Sequence, residues 1–285
     1  MADLISIIVT TFDRPDALDV VLRSLSRQSD RDVEVIVADD GSGPETTALI
    51  ERWRPRFGGR LGHVRHEHQG FRAGEIRNRA IRASHGEYVV FLDGDCLVRS
   101  DFVGIHRGLA ERDWFVTGNR ALLNKALTEA VLARRLECER WRIARWLGQR
   151  LSGRLNRLAP VLTLPLGALR KMRPQAWQGA RSCNLAVWRS DLDRVDGFDA
   201  NFSGWGKEDS DLLVRLLHAG VRRKDGAYAT GVLHLWHPDA DRSRLSDNER
   251  RLAEVAKSLR VRAERGISSL DRDEPVVTSD MAGVR

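Results

Sequence analysis

Short apolar runs alternate with helix-like segments along the first part of this 285-residue chain, and polar residues follow the runs. Three runs, LISIIV at 4–9, VEVIVA at 33–38 and YVVFL at 88–92, are predicted β-strands. Pro15 and Pro44 follow the first two runs, and proline fits the first turn of a helix. Strands that alternate with helices form a mostly parallel sheet covered by helices. The pattern therefore predicts an α/β fold with a Rossmann-like sheet.

Polar clusters follow the first, second and fourth predicted strands. They span residues 10–14, 39–42 and 93–95, and a short third strand is predicted near 63–68. Ligands of open α/β sheets bind beyond the carboxyl ends of the strands, so we expect these clusters to meet in one crevice. No G-x-G-x-x-G motif follows a predicted strand, which disfavours a dinucleotide-binding fold.

The composition is typical of a globular protein that has an anionic partner. Hydrophobic residues make up 42% and charged residues 31% of the chain, which suffices to bury a core. A net charge of +7 indicates a partner that carries phosphates or another negative charge. The three cysteines are widely spaced and the N-terminus is typical of a strand, not of a signal peptide, so we expect a cytoplasmic protein.

The positive charge is concentrated in residues 120–173, which contain thirteen Lys or Arg and three Glu residues. We expect residues 119–175 to form a basic helical insert. Three roles remain open: an arm packed on the domain, a surface on anionic lipid with Trp141 and Trp146 at the interface, or a site for an acidic glycan. Apolar residues recur there at roughly helical spacing, with a break near residue 140: Leu132, Leu136, Ile143, Leu147, Leu151, Leu155 and Leu158.

Two carboxylates end the fourth strand in the motif Asp93-Gly94-Asp95. Strand alternation would direct the two aspartates to the same side, and glycine would let a ligand approach closely. Carboxylates suit Mg²⁺ or Mn²⁺, hard ions that share their coordination shell with phosphates. The alternative is a surface turn, since Asp-Gly is a common turn dipeptide.

Four segments in this order and spacing resemble the GT-A glycosyltransferases of family 2. They are SIIVTTFDRPDALDVVLRSL, VEVIVADDGS, RNRAIRASHGEYVVFLDGDC and GWGKEDSDL. The later part, CNLAVWRSDLDRVDGFDANFSGWGKEDSDLLVRLLHAG, resembles the module shared by β-1,4-galactosyltransferases and chondroitin-polymerase-type enzymes. The resemblance covers residues 4–118 and 176–238, and it implies a GT-A fold with bound nucleotide sugar.

The resemblance assigns donor-binding roles. It implies that Asp40 and three residues of the first loop hold the nucleoside. Arg72, Arg77 and Asn78 are expected near the second half of the nucleotide site, where two arginines could neutralise a diphosphate. Asp93 is expected on the ribose or a metal-bound water, with Gly94 beside it. The first-loop residues are Thr10, Phe12 and Arg14.

The resemblance also implies a Mn²⁺ or Mg²⁺ site with Asp95 as a direct ligand. A histidine from VLHLWHP is expected as the second ligand, and we favour His234, with His237 in reserve. The alternative is that one or both histidines pack beside Trp236.

The GWGKEDSD segment is expected to bind the acceptor and to perform the proton transfer. By the resemblance, Asp209 is the base and Glu208 binds acceptor hydroxyls. Trp205 and the adjacent Gly206 would receive a sugar ring, and Asp211 would be a helix-turn residue. A helix N-terminus favours ionised carboxylates, which keeps the base deprotonated.

The sequence thus predicts an inverting, metal-dependent transferase that moves a sugar from a UDP-sugar to a hydroxyl of a glycan, in surface polysaccharide or glycolipid synthesis. The alternative is a sugar-nucleotide or glycan-binding protein without turnover. A nucleic-acid partner is not expected, because no aromatic stacking platform accompanies the charge. We expect the enzyme in the cytoplasm, with the inner face of the membrane as a second location. The expected organisation is a catalytic domain at 1–240 (donor half 1–118, insert 119–175, acceptor half 176–240), a C-terminal helix at 241–266 and a disordered tail at 267–285.

Overall fold

The computed structural model describes residues 2–134 and 136–270. The strands are β1 Ile5–Thr11, β2 Val33–Asp39, β3 Leu61–Arg65, β4 Tyr88–Asp93, β5 Cys96–Leu97, β6 Trp114–Thr117, β7 Arg120–Leu122, β8 Asn184–Trp188, β9 Arg222–Asp225 and β10 Val232–His234. The helices are α1 Pro15–Leu25, α2 Pro44–Trp53, α3 Ala73–Ala83, α4 Phe102–Leu109, α5 Lys125–Leu132, α6 Ile143–Leu151, α7 Arg189–Val195, α8 Glu208–His218 and α9 Leu245–Lys257.

A mixed, mostly parallel sheet forms the centre of the protein, as the strand–helix alternation predicts. Its strand order is β3-β2-β1-β4-β8-β6-β9, and β8 runs antiparallel to both of its neighbours. A second, small sheet has the order β5-β10-β7. The chain leaves β1 toward β2 and β3 on one side and returns to β4 on the other. This reversal opens a crevice at the carboxyl ends of β1 and β4.

Alternation along β1 divides the core between the two faces of the sheet. Ile5, Ile7 and Val9 pack on one face with α1, α2 and α4, whereas Ile8 packs on the other face with α3, α7 and α8. All four side chains are fully buried. The packed faces hold the carboxyl ends of the strands in fixed positions.

The insert is a small lobe of strand, helices and 3₁₀ turns, which differs from the helical arm that we expected. Its β7 pairs with β10, so the lobe is joined to the second sheet. Leu155 and Trp146 are buried in its own apolar cluster together with Leu233 and Leu235 around β10. The apolar spacing therefore does not mark one continuous face, because the chain turns between α5 and α6, where Arg134 has a φ of 57°.

The two indoles of the lobe do not form a membrane-facing pair. Trp146 is 2% exposed and lies 4.9 Å from the ring of Trp141, so the expectation that both sit at a lipid interface is wrong for Trp146. The indole instead anchors α6 to the lobe. Next to the indole on the surface of α6, Ile143, Leu147 and Leu151 are exposed to solvent. No helix in the described ranges is long and apolar enough to cross a bilayer.

The C-terminal helix is shorter than predicted, because α9 ends at Lys257. The following residues run back over the domain, where the Ile267 N–H donates to the carbonyl of Asp196 and Ser268 bonds to its carboxylate. Residues 267–270, expected in a disordered tail, thus pack against the domain. The rest of that tail, 271–285, lies outside the described residues.

A buried ion pair ties α8 to the turn after α7. Arg215 and Asp211 are both fully buried and lie 2.7 Å apart. The guanidinium also donates to the carbonyls of Val195 and Gly197. Asp211 is therefore a structural residue of α8, as its place in the helix suggested.

We predict that Arg215→Met lowers the free energy of unfolding by about 3–5 kcal/mol, because the buried Asp211 carboxylate loses its hydrogen-bonded partner and keeps the more distant Arg260, 3.7 Å away. Urea denaturation measures the change. Arg250→Ala is the matched control, since Arg250 pairs with Asp247 on the exposed face of α9, and its effect should stay within about 0.5 kcal/mol. Equal losses in the two variants would contradict the structural role of the buried pair.

Candidate active site

The carboxyl ends of β1, β2 and β4 meet at one edge of the main sheet. In the strand register Thr10 stands opposite Asp93, and Thr11 stands opposite Asp39. The polar clusters after these strands therefore lie side by side, as the sequence predicts.

Asp93 and Asp95 do not share a strand. Asp93 is the last residue of β4, and Gly94 and Asp95 form the turn into β5. The prediction that strand alternation directs both aspartates to the same side is therefore wrong, although the two carboxylates remain neighbours. Burial raises the pKa of Asp93, and the charge of Asp95 adds to that effect while Arg77 opposes it.

Gly94 is required by its contact with β1. Its N–H donates to the carbonyl of Thr10 at 2.7 Å. A Cβ at this position would lie 3.0 Å from that carbonyl and from the Thr11 side chain. The missing side chain thus lets the turn fold over the end of β1, whereas we had expected it to make room for a ligand.

Asp95 lies close to two histidines, His234 at the end of β10 and His237 three residues after it. His234 Nε2 is 3.6 Å from Asp95 Oδ2, and His237 Nε2 is 3.4 Å from the same oxygen. Burial lowers the pKa of His234, which favours the neutral imidazole that metals bind. A carboxylate and an imidazole are both ligands of divalent cations, and both histidines considered from the sequence lie near Asp95.

Arg77 joins the two halves of the crevice. Its Nε donates to Thr10 Oγ1 at 3.0 Å, one terminal nitrogen to Glu208 Oε1 at 3.0 Å, and the other to Asp93 Oδ1 at 3.3 Å. The side chain is buried, 4% exposed. All three guanidinium nitrogens thus contact protein groups, where the sequence led us to expect contact with a diphosphate.

Glu208 and Asp209 begin α8 at the other wall of the crevice. Glu208 is buried, and its Oε2 has no hydrogen-bond partner among the described residues. Burial raises the pKa of Glu208, the charge of Asp209 adds to this, and Arg77 opposes it. Asp209 is partly exposed, and its oxygens accept hydrogen bonds from the N–H groups of Ser210 and Ser182.

The loop before α8 carries Trp205 in an unusual backbone conformation. Gly206 has a φ of 103° and Lys207 a φ of 79°, which is rare for a residue with a side chain. The amide of Asn248 in α9 donates to the carbonyl of Gly206 at 2.9 Å. The guanidinium of Arg242 lies 5.1 Å from the centre of the Trp205 ring. Hydrogen bonds from α9 therefore hold the loop beside the two carboxylates.

The loops after β1, β2 and β3 form the far side of the crevice. Phe12 is 42% exposed and stacks on His68, with ring centres 4.2 Å apart. Asp40 is buried, and its two oxygens contact His66 Nε2 at 2.6 Å and the N–H of Arg72 at 2.9 Å. These contacts fix the Asp40 carboxylate, and the backbone carbonyl of Asp40 lies 3.0 Å from His68 Nδ1.

Three residues that we expected at the nucleotide, Asn78, Arg72 and Arg14, contact other groups of the protein. Asn78 is fully buried and exchanges two hydrogen bonds with the backbone of Phe198, so its assignment to the nucleotide site is wrong. Its amide thereby pairs with both the backbone N–H and the carbonyl of Phe198. The Arg72 guanidinium pairs with Glu75 at 3.4 Å, and the exposed Arg14 pairs with Asp16 at 2.8 Å.

Sequence reasoning missed two residues of the crevice, His68 and Arg120. His68 lies in a stretch of three histidines, and its stacking on Phe12 depends on the approach of two distant loops. Arg120 begins β7, and its Nη1 lies 3.8 Å from Cys183 Sγ. Burial works against its charge, but Cys183, Cys96 and Asp93 leave the pKa of Arg120 raised overall. We did not identify Arg120 from the sequence, because we assigned it to a helical insert and it lies in β7.

Solved structures with this architecture define the class of protein. The mannosyltransferase PcManGT from Pyrobaculum calidifontis, in complex with GDP-Man and Mn²⁺, aligns with a TM-score of 0.55 at 19% identity, over 82% of this chain and 56% of that one. GalNAc-T7 with UDP, GalNAc and Mn²⁺ aligns with a TM-score of 0.63 at 15% identity, over 89% of this chain and 48% of that one. The fold is that of the GT-A glycosyltransferases.

The chain belongs to glycosyl transferase family 2, whose profile matches residues 6–172. Residues 168–237 match a second profile, described as the N-terminal domain of galactosyltransferase. Both parts of the resemblance seen in the sequence are thereby confirmed.

Two curated relatives extend the comparison. The validoxylamine A glucosyltransferase of Streptomyces hygroscopicus subsp. jinggangensis (strain 5008) is 27% identical over 224 residues, 76% of this chain and 52% of that protein. The chondroitin synthase of Escherichia coli is 25% identical over 250 residues, 80% of this chain and 34% of that protein. This chain therefore spans about half or less of the length of these two relatives.

We predict that Arg77→Met raises the pKa of Glu208 further, because the positive charge that opposes its protonation is removed. Selective ¹³C labelling of glutamate carboxyls and an NMR titration measure the change. Arg112→Met serves as a control, since Arg112 pairs with Glu87 at the opposite end of β4. If Glu208 titrates alike in the parent protein and in Arg77→Met, the contact between Arg77 and Glu208 does not control this carboxylate.

Proposed function

We propose that this protein is an inverting, metal-dependent glycosyltransferase that moves a sugar from a UDP-sugar to a hydroxyl of a glycan. One observation carries the proposal: Arg77 connects the Asp93 end of β4 to Glu208, so a cation site and a carboxylate pair face one crevice. The family and the donor-bound structural neighbours support the same assignment.

The donor side follows from the loops after β1 to β4. The stacked Phe12 and His68 offer a face for the base, and Asp40, whose backbone carbonyl lies 3.0 Å from His68 Nδ1, is the hydrogen-bond acceptor beside them. A divalent cation held by Asp95, His234 and His237 would neutralise the diphosphate as it leaves. Arg120, beside Asp93, adds protein charge to the same region.

The acceptor side supplies the proton transfer. Asp209 takes the proton of the acceptor hydroxyl as that oxygen attacks the anomeric carbon and the bond from this carbon to the UDP oxygen breaks. Asp209 suits this role because it is less buried than Glu208 and lies in the first turn of α8. Glu208, held by Arg77, then binds acceptor hydroxyls, and Trp205 receives the sugar ring. One displacement with one base inverts the anomeric configuration.

The second candidate is a sugar-nucleotide-binding protein without turnover. The partly exposed Asp209 beside a buried, raised-pKa Glu208 favours catalysis, since binding alone does not need a proton acceptor. The variants Asp95→Ala and Asp209→Asn, described next, distinguish the two functions.

We predict that Asp95→Ala weakens Mn²⁺-dependent UDP binding at least about tenfold, because the carboxylate ligand is lost. Asp209→Asn should retain that binding and lose about 10²–10⁴-fold in sugar transfer. Calorimetry with UDP and Mn²⁺ and an assay of UDP release over a panel of UDP-sugars measure the two effects. Asp101→Asn, an exposed carboxylate at the start of α4, is the control. Near-full turnover by Asp209→Asn would exclude Asp209 as the base.

We further propose that the insert lobe places the enzyme on an anionic membrane surface, where a lipid-linked glycan acceptor would lie. Ile143, Leu147 and Leu151 recur at every fourth position of α6, and Leu151 is 81% exposed. Arg150, seven residues after Ile143, lies at the edge of this face and is exposed, as is Arg142 just before α6. An apolar face with a basic border is typical of helices that lie in the headgroup region. A location on the cytoplasmic leaflet follows from the charge of that leaflet.

We predict that the double variant Leu147→Glu, Leu151→Glu binds vesicles of anionic phospholipid at least about tenfold more weakly, because two apolar side chains no longer enter the interface. Co-sedimentation with vesicles measures this. Leu259→Glu is the matched control, because Leu259 is 90% exposed but lies outside the lobe. Equal binding by the double variant and the control would exclude α6 as the membrane contact. If the parent protein bound neutral vesicles as strongly as anionic ones, the positive charge of the lobe would not contribute to membrane binding.

A further inference from the structure

A cysteine lies directly beside the cation site. Cys96 follows Asp95 in the chain and is fully buried at the start of β5. The register pairs Cys96 with His234 of β10, so the two side chains stand on the same face of the small sheet. A thiol thus borders the residues that we assign to a hard cation.

The donor atoms are spaced as ligands of one zinc ion. Cys96 Sγ lies 3.6 Å from Asp95 Oδ1, and His234 Nε2 lies 3.6 Å from Asp95 Oδ2. Donor atoms of Asp95, Cys96 and His234 all lie within 4.8 Å of one another. Two donors bonded to one tetrahedral zinc at its usual bond lengths are about 3.3–3.5 Å apart. Small side-chain shifts therefore suffice to close the shell.

The chemical types of the donor atoms determine which of two classes of ion the site prefers. Mn²⁺ and Mg²⁺ prefer oxygen and leave positions for phosphates, whereas a thiolate with imidazoles selects Zn²⁺ or Cd²⁺. His237 lies outside this group of three, but its half-exposed side chain has Nε2 3.4 Å from Asp95 Oδ2, so a movement of this side chain toward the ion supplies a fourth donor. With four protein donors, a tetrahedral ion has no position left for a diphosphate.

We propose that Asp95, Cys96, His234 and His237 form a closed site for Zn²⁺ or Cd²⁺ that excludes the hard cation and its nucleotide. The inhibitory part of this proposal rests on the proposed function, whereas binding of the ion does not. The Cys96 thiol releases its proton to solvent when sulfur binds the ion, and no oxidation is involved.

A neighbouring thiol gives the competing arrangement. Donor atoms of Asp93, Cys96 and Cys183 also lie within 4.8 Å of one another. The guanidinium of Arg120 lies 3.8 Å from Cys183 Sγ, and its positive charge acts on Cys183 more strongly than on Cys96, so it opposes a second cation more at the site that contains Cys183. The two histidines therefore favour the site that contains Asp95.

Titration with Cd²⁺ in the absence of nucleotide tests the site, because a cadmium–thiolate bond gives an ultraviolet charge-transfer band. We expect a band that saturates at one equivalent in the parent protein and is absent in Cys96→Ser. Cys138→Ser is the matched control, because Cys138 is also a buried thiol but lies in the insert lobe. The band should persist in Cys138→Ser and Cys183→Ser. A band retained by folded Cys96→Ser, or lost in Cys183→Ser, would overturn the assignment.

His234→Gln provides a test that leaves the buried thiol unchanged. We expect Cd²⁺ affinity to fall at least about tenfold, measured by competition with a chromogenic chelator. An unchanged affinity would exclude His234 from the shell even if the Cys96 variants fail to fold.

Calorimetry with UDP and Mn²⁺ tests the inhibition separately. Equimolar Zn²⁺ should abolish UDP binding by the parent protein and leave binding by Cys96→Ser within about threefold of its zinc-free value. A cadmium band in a protein that does not bind UDP with Mn²⁺ would contradict the proposed function but support the thiol site. Normal UDP binding by the parent protein in equimolar Zn²⁺ would overturn the inhibitory role.

Discussion

The guanidinium of Arg77 is the contact on which the crevice depends. It is buried, and its three nitrogens contact Thr10 of β1, Asp93 of β4 and Glu208 of α8. These groups come from parts of the chain far apart in sequence, so one side chain sets the distance between the two walls. A buried charge is stable only when it is paired and hydrogen-bonded, and each wall supplies a carboxylate for that purpose. The contacts of Arg77 therefore determine both the charge balance of the crevice and its shape.

The sequence predicted the features that depend on local pattern. Strand–helix alternation identified the main sheet, and the polar residues after β1, β2 and β4 marked the edge where Asp40 and Asp93 lie. The acidic start of α8 was also recognised, because the Gly-rich loop before it is distinctive. In each case the signal lies within a few consecutive residues, and general rules of sheet geometry supply the rest.

Features that depend on tertiary contacts were not predictable in this way. Apolar spacing in the insert suggested a helical arm with a break near residue 140, but the burial of Trp146 and the turn at Arg134 make the insert a separate small lobe. Asn78 shares a helix with Arg77, yet its amide bonds to the backbone of Phe198 and is directed away from the crevice. Which face of a helix meets a ligand and which meets a distant loop depends on packing partners that a single sequence does not specify.

Asn248 of α9 holds the Trp205 loop through the carbonyls of Ser203 and Gly206. The helix contributes no residue to the cation site, so changes in its docking would shift the aromatic platform and leave the donor side undisturbed. Under the proposed function Trp205 receives the acceptor sugar, so substitutions in α9, remote from the cation site, would change which sugars fit. The C-terminal helix would then set the position of Trp205, while the residues of the cation site keep theirs.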